Sequence, residues 1–127
     1  MKTAREIYNR SLALLGQAHG ENTDAMEARA PALVNLLMAQ LSPLDRELRG
    51  EVPAKDGPLL QIGTLEDSVG MEDDILLSLF PLGLAALLIQ EEEPDRSRFF
   101  WQLYLEERAE LYARNRRGRR HPIKRSV

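Results

Sequence analysis

From Ile75 to Ile89 the chain is apolar almost without interruption, broken only by Ser78, Pro81 and Gly83. Wound as a helix, this stretch has no polar face, so it has to be walled in by other elements. It is too short and too broken to span a membrane, which takes about 20 apolar residues. The fitting role is the central helix of a globular core, predicted from Asp73 to Gln90, with Asp73 and Asp74 at its positive end. Pro81 costs this helix a hydrogen bond. Gly83, two residues on, leaves room for another backbone to come close.

The walls are legible as helices. Thr3 and Glu6 have capping-box spacing, and Ala4, Ile7, Tyr8, Ser11, Leu14, Leu15 and Ala18 follow at helical intervals, with Gly16 and Gly20 bracketing the end. A second helix is predicted from Asp24 to Leu41, with Met26, Ala30, Leu33, Leu37 and Leu41 on one stripe that Val34, Met38 and Leu36 widen. So wide an apolar arc touches neighbours on more than one side. Pro31 is expected to kink this helix or split off its first turn, and Ser42-Pro43 to restart a short one through Leu48. Residues 50–70, with Gly50, Pro53, Gly57, Pro58, Gly63 and Gly70, read as a long connection, with Leu59-Leu60-Gln61-Ile62 a possible extended stretch inside it. A connection of that length is often functional, and this one is a candidate to reach a neighbouring subunit. The last helix is predicted from Pro94 or Asp95 to Asn115. Phe100, Leu103, Tyr104, Glu107 and Leu111 lie on one face, and Trp101, Leu105, Arg108 and Tyr112 on the next. Beyond Gly118 there is no periodicity, and the tail is expected to be disordered alone. The fold class is therefore all-α: a small bundle of about four helices with a long loop between the second and third and a basic C-terminal arm.

A chain of 127 residues, 43% hydrophobic, suffices for one core. It has no cysteine, which excludes disulfides and Cys-based zinc sites and suits a reducing cytosol. The opening residues carry charge with no apolar stretch behind them, so no signal peptide is expected. The net charge of −3 hides an asymmetry. Arg114, Arg116, Arg117, Arg119, Arg120, Lys124 and Arg125 are seven of the 17 bases, with no acid among residues 114–127; the rest of the chain sets ten bases against all 20 acids. The organisation is thus an acidic helical domain, residues 1–113, and a basic arm, residues 114–127.

No catalytic constellation is present. The two histidines, His19 and His121, stand apart, with His19 read as a polar cap at a helix end. There is no HExxH, P-loop, GxSxG or GxGxxG pattern. Glu72-Asp73-Asp74 and Glu91-Glu92-Glu93-Asp95 lack the alternation of a calcium loop and suit helix ends and solvated turns. No catalytic, cofactor or metal site is expected, and the work of the chain is expected to be binding. For the basic arm three readings stand side by side: a solvated terminus, a phosphate-binding arm, and an arm that folds onto an acidic protein surface. It has no aromatics to stack bases, and the acidic body would repel a duplex.

Three stretches in order resemble the head–tail connector (adaptor, or head-completion) proteins of tailed bacteriophages. They are Ala4-Arg5-Glu6-Ile7-Tyr8-Asn9-Arg10-Ser11-Leu12-Ala13-Leu14-Leu15-Gly16, Arg29-Ala30-Pro31-Ala32-Leu33-Val34-Asn35-Leu36-Leu37, and Phe80-Pro81-Leu82-Gly83-Leu84-Ala85-Ala86-Leu87-Leu88 followed by an acidic turn, an aromatic helix and a basic end. The resemblance implies a helical subunit of a ring, typically a dodecamer, in the virion neck. The ring docks beneath the portal protein, continues its DNA channel without sequence specificity, and meets a tail-side neck or tail-completion protein. It implies that the arm, through Arg114, Arg116, Arg117, Arg119, Arg120, Lys124 and Arg125, is the portal contact, and that residues 50–70 serve intersubunit or tail-side contact. The alternative is a small helical nucleic-acid-binding protein, such as a terminase small subunit or a regulator, using the same arm. Against it, no body helix carries the coherent basic or amide face of a recognition helix.

Overall fold

The computed structural model describes residues 2–17, 24–50 and 61–125, with side chains described as far as Gly118. Four helices carry the fold: α1 (Ala4–Leu15), α2 (Asp24–Arg49), α3 (Phe80–Leu88) and α4 (Pro94–Arg125). A π-helical turn, Ile75–Leu79, leads into α3. Among the described residues there is no β-strand, only a single bridge between Thr3 and Ser68. His19, Leu59 and Leu60 lie outside the described residues, as does the side chain of His121.

α1 begins as its sequence dictates. The Glu6 N–H donates to Thr3 Oγ1 at 3.3 Å and the Thr3 N–H donates to Glu6 Oε1 at 3.1 Å, so each satisfies a helix-end donor of the other. Gly16 closes the helix in the left-handed region, φ 73°, where a Cβ would be strained.

α2 departs from expectation. It is one helix through Pro31 and Pro43: of the two outcomes expected at Pro31, a kink or a split, the split does not occur, and no short helix restarts at Pro43. Each proline removes one donor. The buried stripe Ala30, Val34, Leu37, Met38, Leu41 and Leu44 runs on past both, and its burial at roughly 1.5–3 kcal/mol per large side chain outweighs the two lost bonds.

Pro81 acts just upstream of itself. Its ring crowds the preceding turn and it has no N–H to give. The backbone widens there, with the Phe80 N–H donating to the carbonyl of Ile75, five residues back. The Ser11 hydroxyl lies 3.1 Å from both the Ile7 and the Pro81 carbonyl oxygens, sharing its one proton between α1 and α3. α3 is buried over most of its surface and packs against α1, α2 and α4, as its composition requires. Gly83 serves a different approach from the one expected. What comes close is a ring, not a backbone: a Cβ at Gly83 would sit 2.9 Å from Tyr104 Cδ1 and 3.2 Å from Leu37 Cδ2.

The described part of the long connection packs against the helices of the same chain. Ile62, Leu65, Val69 and Met71 are buried in the core. The Ala4 and Arg5 N–H groups, free donors at the start of α1, bond to the Asp67 and Leu65 carbonyls at 2.9 and 2.7 Å. The Asn35 side chain acts as a peptide group toward Ile62, donating to its carbonyl at 3.0 Å and accepting from its N–H at 2.8 Å. Asp45, almost buried, accepts the Glu72 N–H at 2.8 Å and pairs with Arg49 at 3.0 Å. Residues 51–60 of the connection lie outside the described residues.

α4 does not stop at Asn115. It continues to Arg125, so the boundary expected at Arg114 falls inside a helix. Loss of apolar periodicity ends burial there without ending the helix, which runs on through Gly118 and Pro122 although these cost about 1 and about 3 kcal/mol in a helix interior.

Two tests follow from this packing. Gly83→Ala should lower stability by about 1–3 kcal/mol in urea unfolding with an unchanged m-value, because overpacking outweighs the gain in helix propensity. The second concerns Asp67, whose carboxylate accepts the Gly63 and Thr64 N–H groups at 2.7 and 3.1 Å. These bonds hold its pKa below the ordinary carboxylate value. A lowered folded-state pKa adds stability above the unfolded value, about 4, and loses it as pH falls through the folded value. Tm should therefore decline below about pH 4, and decline less for Asp67→Asn; equal slopes would exclude the Asp67 turn as a contributor.

Candidate partner-binding surface

α4 is held to the bundle along one line: Ser97, Phe100, Tyr104 and Leu111 are buried. The Ser97 hydroxyl donates to the Ala86 carbonyl at 2.7 Å. Near the N-terminus of α4, Arg96 donates to the Leu15 carbonyl at 2.8 Å, capping the open end of α1. Tyr104 is the central contact. Its ring fills the space left by Gly83, stacks on Trp101 with centroids 4.5 Å apart, and lies 5.4 Å beneath the Arg108 guanidinium. Its hydroxyl donates to Gln40 Oε1 at 3.1 Å, and burial pushes its pKa up.

Beyond Leu111 no described side chain of α4 is buried, and the basic run begins. Its first members are engaged by the acids of the body. Arg116 gives a two-pronged contact to Glu47 at the end of α2, Nε to Oε2 at 3.1 Å and Nη2 to Oε1 at 3.2 Å. Asn115 adds a bond to Glu47 Oε2 at 3.3 Å, and the Arg116 guanidinium lies 5.0 Å over the Tyr112 ring. This carboxylate raises the Arg116 pKa further, so the guanidinium is charged at any working pH. Arg114 reaches Glu107 and Glu110 at 3.6 Å each, and Arg117 reaches Glu110 at 3.4 Å. Of these, the Arg116–Glu47 contact ties α4 to α2, while Arg114 and Arg117 pair with acids of α4 itself. Arg119, Arg120, Lys124 and Arg125 stand further along the same helix, and their side chains lie outside the described residues. At 1.5 Å per residue, the 32 residues of α4 span roughly 48 Å, so the helix carries these last four bases well past Leu111.

The Arg116–Glu47 pair escaped the sequence reading because its partners are 69 residues apart. Glu110 and Arg114 were available to it, being an acid four residues before a base on one helix face.

The acidic clusters act as helix-end and turn groups. Glu93 pairs with Arg96 at 3.4 Å, Glu92 with Arg29 at 3.8 Å, and Asp95 with Arg98. Among the described residues no three His, Cys, Asp or Glu side chains are grouped to hold a metal ion, and no helix is long and apolar enough to cross a membrane. Comparison with family models, with characterised proteins and with solved structures found no match.

If Glu47 roots the arm, Glu47→Ala should speed amide exchange from Arg114 to Arg125 and reduce helical ellipticity, while exchange at the α3 amides stays slow. Unchanged exchange in the arm would mean that Tyr112 and Leu111 alone hold it.

Proposed function

We propose that this chain is a structural subunit of a tailed-bacteriophage neck. It assembles with copies of itself into a ring, typically a dodecamer, that docks on the portal protein and joins the head to the tail-side neck proteins. The observation that carries this reading is the course of α4. One continuous helix is anchored in the core at Tyr104, rooted at Glu47, and extended past the last buried residue by a stretch with seven bases and no acid. A pre-ordered helix loses less entropy on docking than a free tail does, which favours a protein partner with an acidic, shaped surface.

The stretches that carry the family resemblance support it further. The first forms α1, the second lies in α2, and the third forms α3. They meet one another: Ser11 bonds the Pro81 carbonyl, and Leu37 packs against Gly83. A body rich in acid suits a channel wall along which DNA slides without sticking.

The test is electron microscopy of the protein with its cognate portal, comparing the full chain with a deletion of residues 119–127. That cut spares the Arg116–Glu47 root, so the thermal midpoint should not change. A ring coaxial with the portal, lost on deletion and weakened by salt, is the expected result. No association with portal, together with a salt-sensitive shift on DNA, would overturn it in favour of the nucleic-acid-binding alternative.

A further inference from the structure

We draw no further inference here: the strongest candidate, the uncharged outer face of α2 along Ala28, Ala32, Leu36, Ala39 and Pro43, is an apolar helix face for which nothing in the structure shows what covers it.

Discussion

A helix with no solvent face dictates the architecture around it. α3 and the π turn before it bury Ile75, Leu76, Leu79, Phe80, Leu84, Ala85, Ala86 and Leu88. Burial of that kind, at about 25 cal/mol per Å² of apolar surface, exists only if every side of the helix is covered. α1, α2 and α4 supply three sides. The tightest point is Gly83, where the absence of a Cβ lets the Tyr104 ring and the Leu37 side chain reach the α3 backbone together. That one contact fixes the distance of both α2 and α4 from the centre. The Tyr104 hydroxyl then links them through Gln40.

The segment from Ile62 to Met71 completes the wall. It has no regular structure, yet it delivers four apolar side chains to the core and pairs its backbone with the start of α1 and with Asn35. Irregular backbone can be packed this way only when its polar groups find partners. Asn35 and Asp67 provide them, and Asp45 takes the N–H of Glu72 just beyond. The unusual length of the connection between α2 and α3 thus has a structural use.

The same helix that is pinned at Tyr104 extends past the core and ends in bases. Its position there follows from packing in the middle of α4 and from the Glu47 root. Charge alone would leave such a run screened and mobile. This combination of an anchored aromatic segment and a projecting basic one is what the portal-docking proposal rests on.

The sequence by itself determined the helices, the ends of α1, and the central place of α3, because capping and apolar periodicity act over one turn or two. It also determined the acid–base polarity of the chain, which needs only counting. Continuity of α2 through Pro31 and Pro43 was not legible, since local cost pointed to a break and distant burial decided against it. The course of α4 beyond Asn115 escaped for a related reason: periodicity reports burial, and the helix outlasts its burial there. The Arg116–Glu47 root, the Asn35–Ile62 pairing and the Gly83–Tyr104 contact were decided by tertiary structure alone. Each joins residues that are strangers in the chain, and no local spacing can name a partner brought near only by the packing of whole helices.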